Sequence, residues 1–146
     1  MSEGNARLEQ EQNYRFRITF PGMEATVRSD LPPPTGGGTG PSPEHLLAAA
    51  VGNCLSASLL FALRKFKQAP DPIRTTAEPK VGRNAAGRLR VESIAVRIDL
   101  GAPAGSLEHL DRVLATFEDF CTVTASVRGA IAVDVQVYDR DGVRLK

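Results

Sequence analysis

Apolar and polar residues alternate from Asn13 to Phe20, with Tyr14, Phe16, Ile18 and Phe20 on one face and Arg15, Arg17 and Thr19 on the other. A period of two predicts a half-buried strand. Pro21-Gly22 marks a turn, and MEATVRSD (23–30) returns as a second strand, giving a hairpin. Residues 1–12 read as a tail or a loosely held strand. LPPPTGGGTGPSP (31–43) is a long irregular connection, because proline removes donors and glycine adds backbone freedom. Loops of that length inside a compact domain are often functional.

The period then changes. EHLLAAAVGNCLSASLLFALRKFK predicts a helix, with Ser42 as N-cap, Pro43 at the first position, Glu44 in the first turn, and Arg64, Lys65 and Lys67 at the far end. It is apolar or small nearly all round from Leu46 to Leu63, which predicts burial on most sides. Such a helix suits the centre of an α+β domain or of an intertwined dimer. Residues 73–83 and 88–100 read as strands joined by NAAG, with a slip in alternation near Glu92-Ser93 that a bulge would explain. Ser106 is expected to cap a helix LEHLDRVLATFEDF, whose inner stripe is Leu107, Leu110, Leu114 and Phe117. A further helical turn follows Cys121 and ends at Gly129, and residues 130–140 alternate as a closing strand. The order is β-β-α-β-β-α-β, one domain over residues 13–146.

Composition changes this picture only by exclusion. The 146 residues are 42% apolar and 24% charged, with a net charge of +1, which gives no electrostatic reason to expect nucleic acid or an anionic membrane as partner. Trp is absent and Tyr occurs twice, against a platform for stacking bases. No unbroken apolar run reaches the roughly 18 residues of a membrane span. The segment MSEGNARLEQEQ has no apolar core of a secretory signal. The expectation is a cytoplasmic protein without a permanent disulfide.

Cys54 and Cys121 are the two cysteines, and two readings of them stand. A free cysteine often packs as a small hydrophobe. Two thiols can also form a redox couple, one attacking a peroxide to give a sulfenic acid and the other condensing with it to a disulfide. The attacking thiol must ionise, which requires a cation, a helix N-terminus or donors nearby. Cys54 lies about ten residues into its helix, beyond the reach of the dipole, whereas Cys121 stands near a helix start. The dipole by itself therefore favours Cys121 as the more acidic thiol, and the order of the two stays open. His45 and His109 would complete four metal ligands, but the spacings match no zinc pattern. His45 is about 13 Å from Cys54 by helix rise, too far for a Cys-His hydrolase.

The segment GPSPEHLLAAAVGNC (40–54) resembles the signature of the OsmC/Ohr family, the osmotically inducible and organic hydroperoxide resistance proteins. In that family a proline- and glutamate-bearing segment opens a long central helix that carries the first cysteine. FCTVTASVRGAIAVDVQV (120–137) resembles the C-P-x-S-type stretch around the second cysteine, with Thr122 where proline is usual. The loop 31–43 is similar to the OsmC-like branch more than to the Ohr type. The resemblance implies an α+β OsmC-like fold forming an intertwined homodimer with active sites at the subunit interface. It implies a thiol-dependent peroxidase acting on organic hydroperoxides in oxidative stress defence, with Cys54 as attacking and Cys121 as resolving cysteine. It also implies no bound cofactor, an external dithiol reductant of lipoyl type, and a glutamate–arginine pair, carried over to Glu44 and Arg28. Ten residues of helix separate Glu44 from Cys54 by about 15 Å, so Glu44 would serve the site of a partner subunit. Two rivals remain: a non-catalytic OsmC-like ligand-binding or stress-associated dimer, and a cysteine redox sensor.

Overall fold

Arg7–Gln12 (β1), Arg15–Thr19 (β2) and Thr26–Ser29 (β3) form an antiparallel sheet in the order β1-β2-β3, in a computed structural model that describes residues 4–146. Two compact units divide the chain, one up to Leu47 and one from Ala48 onward. The first holds this sheet and the connection 31–42. That connection is organised about one carboxylate. Asp30 accepts hydrogen bonds from the backbone N–H of Leu31, Gly37 and Thr39 and from the Thr39 hydroxyl, at 2.8–3.2 Å. The Thr39 hydroxyl, with the backbone donors, holds the Asp30 carboxyl below its ordinary range against the opposing effect of burial. Gly40 passes so close to the Arg28 carbonyl that a Cβ would sit 2.1 Å from its oxygen, so a side chain is excluded there.

Helix α1 runs from Pro43 to Lys65. Ser42 fulfils its expected cap: its hydroxyl reaches the His45 N–H at 3.4 Å, and its carbonyl accepts from the Leu46 N–H. In the second unit, Arg74–Arg83 (β4), Leu89–Asp99 (β5) and Ala132–Tyr138 (β6) form a sheet in the order β4-β5-β6. β4 and β5 are antiparallel, and the expected slip is a bulge: Lys80 faces Ser93 while Val81 faces Val91, leaving Glu92 extra. β5 and β6 are parallel, which requires a long crossover between them. Alternation gives the sheet one apolar face. Ile94, Val96 and Ile98 of β5 and Val135 and Val137 of β6 are buried there. Leu55, Leu59 and Leu63 of α1, spaced four apart on one face, are buried completely. Close approach of helix and sheet is permitted at Gly52, where a Cβ would lie 3.1 Å from that of Ala77. Ser56 and Thr75 hydroxyls hydrogen-bond across the same contact at 2.5 Å.

Three expectations change. α1 is not buried on most sides: Ala50, Asn53, Ala57 and Phe61 form an exposed stripe opposite its leucines, with Phe61 68% exposed. By length and composition α1 also passes for a membrane span. Its fully buried leucines and its Gly52 and Ser56 contacts to β4 are those of a helix laid on a sheet. The predicted helix from Leu107 starts later. Ala104–Ser106 is a 3-10 turn, and His109 takes a left-handed φ of 59° before helix α2 begins at Leu110 and runs to Thr116. Ser106 caps nothing, because its hydroxyl donates back to the Pro103 carbonyl at 2.8 Å. A 3-10 turn, Phe117–Phe120, continues α2, and helix α3 covers Thr122–Val127.

Candidate active site

Cys54 is half-buried on α1, and Cys121 is the residue before α3, 1% exposed. Both are free thiols, and Cys54 is near enough to Cys121 to perturb its ionisation. Local contacts explain how residues so distant in sequence meet. The Ser58 hydroxyl, one turn beyond Cys54, donates to the Phe117 carbonyl at 2.9 Å, tying α1 to the turn that leads into Cys121. Phe117 itself is fully buried. The Glu118 carbonyl accepts from the Cys121 N–H, and the Glu118 carboxylate pairs with Arg128, just past α3, and with Lys146. Cys121 is thus fastened on both sides. Burial works against ionisation of Glu118, but the hydrogen bonds from Arg128 and Lys146 outweigh it and hold the carboxyl below its ordinary range.

The helix-start argument for an acidic Cys121 does not survive burial. Burial first, and then the hydrogen bond with Cys54, push the Cys121 thiol up, outweighing Thr124, which favours the thiolate. The Cys121 Sγ donates to the Thr124 Oγ1 at 2.9 Å, a neutral thiol satisfied by a buried hydroxyl. A helix of six residues offers little dipole to offset that desolvation. Thr124 went unnoticed in the sequence, although a hydroxyl three residues after a cysteine that opens a helix has the spacing of a local cap.

A cavity of about 630 Å³ opens beside Cys54. On α1 its wall continues through Ala57, Ser58, Phe61, Ala62 and Lys65. These positions follow Cys54 by 3, 4, 7, 8 and 11 residues, one face of a helix, so the wall was readable as a stripe. The opposite wall includes Arg112, Val113 and Thr116 of α2, with Phe120 and Thr122 beyond them. Among the described residues, no Asp or Glu lines it.

Arg28 is half-exposed and paired with Glu11, Nε to Oε2, at 3.0 Å. Glu44 stands in the first turn of α1 and has no ion pair among the described residues. His45 is exposed and bonds Ser42 through Nδ1 at 2.9 Å, while exposed His109 stacks on Phe66 with centroids 4.5 Å apart. Among the described residues, no three His, Cys, Asp or Glu side chains gather as metal ligands.

An α+β chain that brings two free thiols together beside an apolar cavity is the class these features define. The family model described as OsmC-like protein matches residues 36–136, and the chain belongs to that family. Among curated proteins none matches it significantly. Solved structures share the fold at low identity. An organic hydroperoxide resistance protein from Legionella pneumophila is 15% identical with a TM-score of 0.75, over 94% of this chain and 97% of that one. A putative osmotic stress induced and detoxification response protein from Psychrobacter arcticus is 18% identical with a TM-score of 0.78, over 94% and 98%. A putative organic hydroperoxide resistance protein from Vibrio cholerae, with captopril in one of its active sites, is 24% identical with a TM-score of 0.71, over 97% and 94%.

Proposed function

We propose that this protein is a thiol peroxidase that reduces organic hydroperoxides in oxidative stress defence. The observation that carries the reading is the pairing of half-buried Cys54, on the cavity wall, with buried, neutral Cys121 behind it. The Cys54 thiolate attacks the distal oxygen of ROOH, the O–O bond breaks, and the alkoxide leaves as ROH after taking a proton. Cys54 is now a sulfenic acid. Cys121 attacks its sulfur, water leaves, and a disulfide joins the two. An external dithiol, of lipoyl type, restores both thiols by exchange and is itself oxidised, so no bound cofactor is required. The hydroperoxide-resistance names among the structural relatives agree with this substrate class.

Glu44 and Arg28 are assigned to activation of Cys54 across a homodimer, with Glu44 serving the partner's thiol. A reducing cytoplasm, where free thiols persist, suits the cycle. The test is consumption of cumene hydroperoxide by the reduced protein. One equivalent should disappear rapidly without added reductant, with catalytic turnover once a dithiol is supplied. Cys54→Ser should lose at least about a hundredfold in rate, by analogy with loss of any activated nucleophile. An unchanged rate in that variant refutes the proposal, and stoichiometric oxidation without turnover would make the pair a sensor.

A further inference from the structure

Glu118 lies three residues before Cys121 and holds two cations, Arg128 on one carboxylate oxygen and Lys146 on the other, with its side chain only 14% exposed. Each cation has a second hold. Arg128 donates to the Val133 carbonyl at 3.3 Å, near the start of β6. Lys146 donates through Nζ to the Leu114 carbonyl of α2 at 2.7 Å and stands 5.2 Å from the Phe117 ring centroid. Its backbone exchanges hydrogen bonds with that of Val137, near the end of β6, at 3.1 and 3.2 Å. The segment carrying Cys121 is therefore tied to α1 through Ser58 and the Phe117 carbonyl, and to both ends of β6 through a single carboxylate. Because α1 carries Cys54, these anchors fix where one thiol stands relative to the other.

We propose that Glu118 is the positioning residue for disulfide formation, holding Cys121 where it captures an oxidised Cys54, with Arg128 and Lys146 as its clamp. Capture of a sulfenic acid rests on the peroxidase reading, but the placement of Cys121 does not. An ion cluster in a half-buried setting adds little stability over apolar packing of the same shape. What it adds here is direction. A carboxylate gripped from two sides by groups fixed to β6 has one place to stand. The Cys121 N–H donates to the Glu118 carbonyl at 3.2 Å, so the two residues move as one turn. A misplacement of about 1 Å can cost an oriented reaction on the order of a hundredfold in rate. The clamp also tolerates dissection, since with Lys146 removed Arg128 still pairs the carboxylate and no bare buried charge remains.

The first test needs no peroxide. The intact protein is equilibrated with mixtures of oxidised and reduced glutathione, and the fraction holding a Cys54–Cys121 disulfide is read by mass after alkylation. In this exchange the two protein thiols give up two electrons and two protons, and one oxidised glutathione leaves as two reduced molecules. Glu118→Gln and Lys146→Met should each lower the equilibrium constant for the protein disulfide about tenfold, and Lys146→Arg should keep most of it. The second test adds one equivalent of cumene hydroperoxide and follows formation and decay of the sulfenic acid by stopped flow. Decay should slow about tenfold relative to formation in the same two variants, and Lys146→Arg should restore the ratio. Melting temperatures establish which variants fold, and Lys146→Met, which keeps Arg128 in place, decides the matter if Glu118→Gln does not. Native equilibrium and decay in Lys146→Met overturn the proposal. So does an equal slowing of both steps, which would make the clamp part of the general fold. A native protein that consumes no cumene hydroperoxide refutes the peroxidase and leaves the glutathione result standing.

Discussion

Cys121 illustrates how one residue's surroundings set its role. Its thiol is raised by burial and by Cys54, so at neutral pH it is a hydrogen-bonded thiol and not a thiolate. A raised thiol ionises only above the usual thiol range. The disulfide-forming step should therefore accelerate as pH rises into the alkaline range. Stopped-flow traces of sulfenic acid decay against pH would measure it, and Thr124→Val should displace the profile further upward. A flat profile for disulfide formation would contradict this account. The two cysteines were legible from their number, and the family resemblance implied Cys54 as the attacking one, whereas the dipole argument from the residues alone pointed to Cys121. The helix-start argument weighed sequence neighbours, and the deciding contribution is desolvation by residues far along the chain.

At the scale of elements, α1 was the most legible part of the chain. Its cap, its length and its small residues are all local signals, and Gly52 shows what the small residues are for. A valine there would drive its branch into Ala77 and Thr75, where even a Cβ is tight. Gly52→Val should cost about 1–3 kcal/mol by overpacking, read as a lowered denaturation midpoint, whereas Gly87→Ala, with nothing near the added methyl, tests backbone strain alone. Stability unchanged by Gly52→Val would mean that α1 and β4 are not in contact. α2 was less legible. Leu107, Leu114 and Phe117 of its predicted stripe are buried as expected, yet the extended Leu107 and left-handed His109 delay the helix. Periodicity of apolar residues survives such an interruption, so it cannot locate one. The cavity's second wall, Arg112 included, depended on that start and was missed.

For the whole molecule, the exposed stripe of Ala50, Asn53, Ala57 and Phe61 is the feature a second copy would cover. Small residues along one helix face allow close helix approach, in keeping with the proposed homodimer. Sedimentation should show a dimer, and Ala50→Arg should convert it to monomer. A native chain that sediments as monomer at tens of micromolar would remove the interface, and with it the role assigned to Glu44. The parallel pairing of β5 with β6 carries a consequence for the order of synthesis. Cys54 emerges from the ribosome well before the crossover that carries Cys121, and β6 must follow before the sheet under both is complete. The nascent chain therefore presents its first thiol alone for dozens of residues, without the neighbour that would close an oxidised sulfur into a reversible disulfide. A Cys54 oxidised at that stage has no resolving thiol of its own chain until synthesis has passed Cys121.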